Sequence, residues 1–303
     1  GGGSPAAINA AENQTAVTTV TSTDADADAV TYRLSGGVDQ SRFSINSSTG
    51  ALSFQSAPNF ESPTDSGSGN TYVVEVTVTD SGAGSLTDTQ TITVTVTNAN
   101  DGPVLTSYAG FSSVTLSVAE NQSFVADINA TDADGDATVS FTITGGADAS
   151  KFELNSSTGV LTFKTPPDFE IPSDNGGNNT YEVATKASDG FLMVSQTFTL
   201  NVTNVNEPPA DLNSTAPLTI AENQPIGTIV GEFNATDPDA GATLTYHLVS
   251  GVGDGNNSLF TLETNGTLKT ATTFDYETNA STYSIRVQAK DEFNATVEGN
   301  FTV

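Results

Sequence analysis

The sequence contains no cysteine and no tryptophan, and it has one histidine and one methionine among 303 residues. Without cysteine the chain can form neither disulfide bonds nor thiolate metal sites, so another device must stiffen the fold. No run of about 20 apolar residues is present, so we predict that no segment of this chain inserts into a membrane.

Basic residues are also scarce. Lys and Arg total 8 against 36 Asp and Glu, which gives a formal net charge of −28. A chain this acidic repels the phosphates of nucleic acids and anionic membrane surfaces, and its natural counter-ions are metal cations. We therefore expect cations, and not nucleic acid, among its partners.

Motifs for catalysis are missing as well. His247, the only histidine, lies in an alternating strand pattern, where a position on a strand face is expected. No Ser-His-Asp set, phosphate-binding loop or zinc motif is found, and pairs of acids carry little weight among 36 of them. We predict that the chain is not an enzyme.

The chain repeats itself, which decides its domain organisation. An Ala-Glu-Asn-Gln segment at 11–14 recurs at 119–122 and 221–224, so the glutamates lie 108 and 102 residues apart. Further landmarks follow each copy in the same order: Asp-x-Asp, then Phe-Glu or Tyr-Glu, then an acid that ends a late strand. The predicted domains are 1–100, 101–205 and 206–303, the last incomplete at its C-terminal end.

Between the landmarks the pattern is that of β-structure. Residues 91–97 alternate strictly with β-branched side chains, and 72–78, 198–202 and 283–287 alternate similarly. About seven short strands per repeat, without an amphipathic helix, predict an all-β chain of three tandem Greek-key, immunoglobulin-like β-sandwich domains in an extended rod. The recurring aromatics Phe43, Phe54, Phe152 and Phe163 are predicted core residues.

The acids concentrate where stacked repeats would meet. Two carboxylates about 4 Å apart repel by roughly 4 kcal/mol at an effective dielectric near 20, so a cluster of them needs a cation. Carboxylate, amide and carbonyl oxygens suit Ca²⁺, whereas Zn²⁺ prefers His or Cys. We expect the first junction to collect Glu12, Glu61, Asn100, Asp101, Asp132, Asp134 and Asp189, and the second to collect Glu120, Asp168, Glu170, Asn206, Glu207, Asp237, Asp239 and Asp291.

These ordered landmarks resemble cadherin repeats over nearly the whole chain. The resemblance lies in the Ala-Glu-Asn segments, the Asp-x-Asp segments, Asp275-Tyr276-Glu277, Ala289-Lys290-Asp291 and the linker at 204–209. It implies cadherin-like sandwiches joined by Ca²⁺ ions that stiffen an adhesive or structural rod. The abundance of Thr, Asn and Asp, without Cys or Trp, is more similar to cadherin-like repeats of bacterial surface proteins than to animal adhesion domains.

The sequence also departs from the family pattern. Asn59, Asn98 and Asn204 stand where the family usually has Asp, and Glu207 replaces the last Asp of the second linker. Each exchange removes or lengthens a ligand, so we expect a lower affinity for Ca²⁺ or fewer ions at a junction.

The two ends of the chain carry acids without a neighbouring repeat. We expect Glu222, Asp275 and Glu277 to form half a site at one end, and Asp24, Asp26 and Asp80 the complementary half at the other. Two explanations stay open: the chain is cut from a longer array, or copies join head to tail by exchanging a strand or ligands.

The leading functional hypothesis is a calcium-dependent structural or adhesive rod at the cell surface, outside the cell. One alternative is a self-assembling extracellular filament subunit, and another is a carbohydrate-binding or stalk module of a larger surface enzyme. The expected partners are calcium, further copies of the chain, and a cell-surface or carbohydrate ligand. About fourteen Asn-x-Ser/Thr segments also make glycosylation an expectation.

Overall fold

The computed structural model describes residues 5–135 and 138–303. Within these ranges every regular element is either a β-strand or a 3-10 helix of three or four residues, which confirms the all-β prediction. None of the described residues belongs to a helix that is long and apolar enough to cross a lipid bilayer. Three sandwiches, each with its own hydrophobic core, follow one another in an extended tandem arrangement.

The first sandwich pairs a four-stranded sheet of order β1-β7-β6-β3 with a three-stranded sheet of order β2-β5-β4. Its longest strands coincide with the strictly alternating segments, because alternation buries one face and leaves the other in water. The strands are β1 (Ala6–Ala11), β2 (Ala16–Thr19), β3 (Val30–Gly36), β4 (Phe43–Ile45), β5 (Ala51–Phe54), β6 (Thr71–Asp80) and β7 (Thr87–Thr97).

The second sandwich has the sheets β12-β15-β16-β9 and β10-β14-β13, together with a short β11-β8 pair. Its strands are β8 (Val104–Leu105), β9 (Ser113–Ala119), β10 (Phe124–Asp127), β11 (Ala130–Thr131), β12 (Ser140–Gly145), β13 (Phe152–Leu154), β14 (Val160–Phe163), β15 (Thr180–Ser188) and β16 (Met193–Thr203).

The third sandwich has the sheets β17-β18-β21-β20 and β19-β22-β23. Its strands are β17 (Ala210–Ser214), β18 (Ile229–Thr236), β19 (Thr245–Leu248), β20 (Phe260–Leu262), β21 (Thr267–Thr270), β22 (Ser284–Lys290) and β23 (Thr296–Thr302). His247 lies on β19, as its alternating pattern predicts.

Two parallel strand pairs position the glutamates of the first two Ala-Glu-Asn segments. β1 runs parallel to β7 and β9 runs parallel to β16, so that Ala11 pairs with Thr97 and Ala119 with Thr203. The N–H of the following residue, Glu12, donates to Thr97 O at 3.1 Å. The glutamate therefore sits where the last strand of its own sandwich leaves for the linker.

Each core is centred on three aromatic rings. In the first sandwich Phe43 stacks on Phe54 at 4.7 Å between ring centroids, and Tyr72 meets both rings edge-on. The second sandwich repeats this arrangement with Phe152, Phe163 and Tyr181. All four phenylalanines predicted as core are at most 3% exposed. Such ring pairs add about 0.5–1.5 kcal/mol beyond the burial of their area.

The third core fills the same space from a different position. Thr270 stands opposite Phe260, at the strand position that Phe54 and Phe163 occupy opposite their partners. Phe274, four residues further on, stacks on Phe260 at 5.6 Å and meets Tyr283 at 4.7 Å. The aromatic cluster is therefore kept although its sequence position is not.

The Ser-Thr-Gly turns form the hairpins that the sequence predicts. Between β4 and β5, Asn46 Oδ1 accepts the N–H groups of Ser48 and Thr49 at 3.0 Å each. Gly50 then adopts a φ of 72°, and a Cβ at this position would lie 2.2 Å from Val20 O. Only glycine fits here, because the backbone of Val20, immediately after β2, is too close for any side chain.

Candidate metal centres at the repeat junctions

The first junction is built around Glu12. Ligand atoms of Glu12, Glu61 and Asp101 all lie within 4.8 Å of one another. Glu12 is 2% exposed, and its two oxygens accept the N–H groups of Phe60 at 2.7 Å and Ala99 at 2.9 Å. This carboxylate thus ties the Phe-Glu segment of its own sandwich to the linker.

The second sandwich contributes the other side of the same junction. The Asp101 N–H donates to Asp134 Oδ2 at 2.7 Å, and Asn100 Nδ2 donates to Asp189 Oδ2 at 2.8 Å. Asp132 joins through its Oδ1, which accepts the Asp134 N–H at 3.0 Å. The structure therefore brings all seven residues predicted for the first junction into one connected region.

The second junction repeats the arrangement. Ligand atoms of Glu120, Asp168 and Glu170 lie within 4.8 Å of one another, and Glu120 is 1% exposed. Its oxygens accept the N–H groups of Phe169 and Val205 at 2.7 and 2.8 Å. Across the linker, the Glu207 N–H donates to Asp239 Oδ2 and Asn206 Nδ2 donates to Asp291 Oδ2. Within the third sandwich, the Asp239 N–H donates to Asp237 Oδ1.

The junction acids repel one another. Burial, followed by the charges of Glu12, Asp101 and Asp134, raises the pKa of Glu61 above its ordinary value. Burial and the charge of Glu120 likewise raise the pKa of Glu170. In the described part of the chain the ion pairs are Lys269 with Glu263 and Arg286 with Glu298, so no basic side chain neutralises a junction acid.

Three carboxylate oxygens at the junctions are buried without a hydrogen-bond donor. They are Asp132 Oδ2 at the first junction, and Glu170 Oε2 and Asp237 Oδ2 at the second. A buried acceptor without a partner costs about 1–3 kcal/mol, and more when it is charged. A hard cation that takes oxygen ligands in flexible geometry would satisfy all three, so the residues present fit Ca²⁺.

Asparagine side chains complete the junctions in a way that sequence reasoning missed. Asn13 and Asn121 adopt φ of 60° and 61°, and their Nδ2 atoms donate to Asp101 and Glu207 at 2.8 Å each. The recurrence of Ala-Glu-Asn-Gln was the available signal, since Asn tolerates this left-handed backbone. Asn204, which stands where the family usually has Asp, donates to Glu170 Oε1 at 2.7 Å.

The acids at the two ends of the chain are also gathered. Ligand atoms of Glu222, Asp275 and Glu277 lie within 4.8 Å of one another, but Glu222 is exposed, unlike Glu12 and Glu120. At the other end Asp24 accepts the N–H groups of Asp26 and Asp28. The Asp80 loop lies beside this one, because Ser81 N–H donates to Ala29 O at 2.8 Å.

Four buried aspartates outside the predicted sites hold a loop in each of the first two sandwiches. Asp65 and Asp174 each accept three backbone N–H groups of their own loop, and Asp39 and Asp148 each accept two from the loop and the following strand. Sequence reasoning missed them because their partners are backbone amides, which leave no mark on residue type.

We expect these loops to make stability depend on pH. Burial acts to raise the pKa of Asp65 and Asp174, but the N–H donors outweigh it and lower both below the ordinary value. Because the folded pKa is the lower one, the stabilisation is complete above the unfolded pKa of about 3.9 and is lost as pH falls through the folded value. The melting temperature of metal-free protein and of a D65N/D174N variant should therefore converge below about pH 4.

The control for this experiment is Glu153→Gln, which removes an exposed carboxylate from β13. Its melting temperature should follow that of the unmodified chain at every pH. A constant difference between the double variant and the unmodified chain from pH 7 to pH 2.5 would contradict the assignment of the lowered pKa values to these loops.

The chain is similar to known proteins along most of its length. The Cadherin domain family model matches residues 6–97 and 216–303, which is more than half of the chain. Protocadherin Fat 4 of mouse is 29% identical over 280 residues, covering 91% of this chain and 5% of that protein. Cadherin EGF LAG seven-pass G-type receptor 1 of mouse is 30% identical over 175 residues, covering 56% of this chain and 5% of that protein.

A solved structure supports the fold independently. The crystal structure of human CDH23 EC21-23 superposes with a TM-score of 0.57 at 21% identity, covering 98% of this chain and 96% of that chain. At this identity the likeness concerns the fold. The chain spans about one twentieth of the length of the two curated relatives.

Proposed function

This chain belongs to the cadherin family, and from that premise we propose that it is a Ca²⁺-dependent structural or adhesive rod of the extracellular cell surface. We assign its domains to residues 1–100, 101–205 and 206–303. The proposal gives the chain no catalytic role. Its work is mechanical: it sets the distance and the angle between whatever its two ends contact.

The observation that carries this proposal is the set of buried carboxylate oxygens without donors, in networks that cross both linkers. Acids that served only solubility would point into water, where each oxygen finds a partner. Here Asp132 and Asp237 instead keep one oxygen bonded within their own loop and the other buried and unpaired.

The residues that would hold Ca²⁺ come from three parts of the chain at each junction. In the first they are Glu12, Glu61, Asn100, Asp101, Asp132, Asp134 and Asp189; in the second they are Glu120, Asp168, Glu170, Asn206, Glu207, Asp237, Asp239 and Asp291. Because the ligands belong to both sandwiches and to the linker, binding would fix the angle between neighbouring domains. We assign Asp24, Asp26, Asp80, Glu222, Asp275 and Glu277 to cation-binding positions of the same kind.

Small-angle scattering and thermal melting, with Ca²⁺ and then with chelator, test the proposal. A ligand present at about 100 times its Kd stabilises by about 2.7 kcal/mol, which corresponds to roughly 10–20 °C for a domain of this size. We expect an extended particle with Ca²⁺, and a broader distribution of distances with earlier melting in chelator. Mg²⁺ at equal ionic strength is the control. Identical scattering and melting in all three solutions would defeat the proposal.

A further inference from the structure

The first two sandwiches contain a loop that the third lacks. Glu61 and Tyr72 are separated by eleven positions, as are Glu170 and Tyr181, whereas Glu277 and Tyr283 are separated by six. In each repeat the glutamate belongs to the candidate metal centre and the tyrosine to the core. The ten intervening residues, 62–71 and 171–180, therefore connect a metal-binding segment to the core, and we call them the junction loops; the third sandwich has only five residues, 278–282, at this place.

Each junction loop closes around one buried aspartate. Asp65 is 6% exposed, and it accepts the N–H groups of Gly67 and Gly69 at 3.1 Å and of Asn70 at 3.0 Å. In the second sandwich Asp174 accepts those of Gly176, Asn178 and Asn179. A carboxylate that accepts several N–H groups fixes the path of the backbone that carries them.

A second buried aspartate anchors each loop to the sheet. Asp39 accepts the Ser66 N–H at 2.7 Å through one oxygen and the Val73 N–H at 2.8 Å through the other. In the third sandwich the same place is held by Asn256, which accepts the Ser284 N–H at 2.9 Å. An amide has one acceptor oxygen, and without a junction loop one acceptor is sufficient.

Near the end of each junction loop, an asparagine with a positive φ donates a hydrogen bond to the metal-binding segment. Asn70 has a φ of 60°, and its Nδ2 donates to Phe60 O at 2.8 Å. Its own carbonyl accepts the Val96 N–H at 2.8 Å, next to the linker. Asn179 makes the same two contacts with Phe169 and Val202.

The left-handed backbone alone does not explain asparagine at these positions. Asn70 Oδ1 and Asn179 Oδ1 are buried without a hydrogen-bond partner, which is unfavourable. Glycine would adopt the same backbone without burying that oxygen. What asparagine adds is the bond from Nδ2 to the carbonyl of the residue that precedes the metal-binding glutamate.

This bond continues into the candidate metal centre. The residue whose carbonyl Asn70 holds, Phe60, donates its N–H to Glu12, and Glu12 also binds the linker at Ala99. Phe60 and Phe169 pack against their cores, whereas the equivalent Tyr276 of the third sandwich, which has no junction loop, is 71% exposed. The loop thus accompanies a phenylalanine that packs against the core immediately before the metal-binding glutamate.

We propose that Asn70 and Asn179 are positioning residues for the Ca²⁺ sites. The junction loops hold these two asparagines in place, and the asparagines in turn orient Glu61 and Glu170 before the ion binds. This inference rests on the proposed function. Asn70 and Asn179 touch the backbone of the metal-binding segment and act through it. The ligand is a divalent cation that the carboxylates of Glu61 and Glu170 coordinate. Because the main chain of these residues is already fixed, less conformational entropy is lost when the ion binds.

The test is the substitution Asn70→Gly in the full chain, because glycine keeps the left-handed backbone and removes only the side chain. Hydrogen exchange, read by mass spectrometry across a series of free Ca²⁺ concentrations, reports the linkers 98–103 and 204–209 separately. Loss of one hydrogen bond predicts that the Ca²⁺ concentration for half protection of the first linker rises about three- to tenfold, with the second linker unchanged. Asn179→Gly should do the reverse.

The matched control is Ser68→Gly, an exposed position of the same loop with a φ of 51°, where the second loop already has Gly177. It should leave both linkers unchanged. In chelator, the Phe60 N–H should exchange faster in Asn70→Gly than in the control, since its carbonyl is no longer held.

Two results would overturn the inference. If Asn70→Gly lowers the melting temperature equally with Ca²⁺ and with chelator, and the first linker keeps its Ca²⁺ response, the loop is only structural and the proposed function stands. If neither linker of the unmodified chain gains protection from Ca²⁺, the proposed function fails and this inference fails with it.

Discussion

Replacing Glu12 with glutamine is expected to disable the first junction and spare the second. Glutamine has nearly the same shape, but only one of its two terminal atoms accepts a hydrogen bond. One of the N–H groups of Phe60 and Ala99, which Glu12 binds at 2.7 and 2.9 Å, must then face another donor. The buried position offers no water to relieve this, so we expect a loss of about 1–3 kcal/mol in the metal-free protein.

The loss of Ca²⁺ binding should be larger than the loss of stability. Glutamine also removes the negative charge at the centre of the cluster of Glu12, Glu61 and Asp101. We expect the Ca²⁺ concentration for half protection of the first linker to rise by at least tenfold, about 1.4 kcal/mol or more. Hydrogen exchange of residues 98–103 measures this directly.

The repetition of the chain supplies the controls. Glu120→Gln should transfer the whole effect to residues 204–209, because Glu120 makes the same two backbone contacts. Glu153→Gln removes one charge from an exposed strand position and should change neither linker. Equal weakening of both linkers by Glu12→Gln would contradict the division of the acids into two separate junctions.

The sequence predicts the fold almost completely, because each repeat carries its signal in side-chain alternation. β6, β7, β16 and β22 each overlap a segment in which apolar and polar residues alternate along the sequence. The replacement of one core aromatic was beyond prediction. Thr270 breaks the pattern of Phe54 and Phe163, and Phe274 substitutes for it from a loop, which only the packing in three dimensions reveals.

The residues of the candidate sites could be predicted from the sequence, but the hydrogen bonds that orient them could not. Acids that recur at fixed places identify the junctions, since like charges gather only where a cation can balance them. The backbone N–H groups that orient Glu12, Asp65 and Asp39 belong to residues of no particular type, so the sequence does not mark them. The sequence shows that Asn13 and Asn70 are asparagines, but their roles become clear only from their left-handed backbone conformation in the structure.

The largest loss of stability is expected from Phe152→Ala. Phe152 is 2% exposed and contacts Phe163 and Tyr181 in the core of the second sandwich. Truncation of a buried phenylalanine to alanine costs about 3–5 kcal/mol of folding stability. The cost has two parts: the hydrophobic free energy of burying the ring is lost, and a cavity is left in the core. In a domain of about 100 residues this corresponds to a fall of roughly 15 °C or more in its melting transition. Calorimetry in Ca²⁺ measures it.

The position of the second sandwich makes this variant informative about the whole rod. The second sandwich contributes acids to both junctions. They are Asp132, Asp134 and Asp189 at the first junction, and Glu120, Asp168 and Glu170 at the second. The temperature at which the linkers lose protection should therefore fall at both junctions in Phe152→Ala. By the same reasoning Phe43→Ala should affect only the first linker, and Phe260→Ala only the second. Phe111→Ala, at a side chain of the second sandwich that is 65% exposed, should affect neither.

A different outcome would change the description of the rod. If Phe152→Ala lowered the melting transition of the second sandwich while both linkers kept their protection, the junctions would be independent of the domains that flank them. The hydrogen bonds argue against that independence, because each linker is held from one side by a buried glutamate and from the other by aspartates of the next sandwich. A junction of this kind can be no more stable than the less stable of the two domains that supply it.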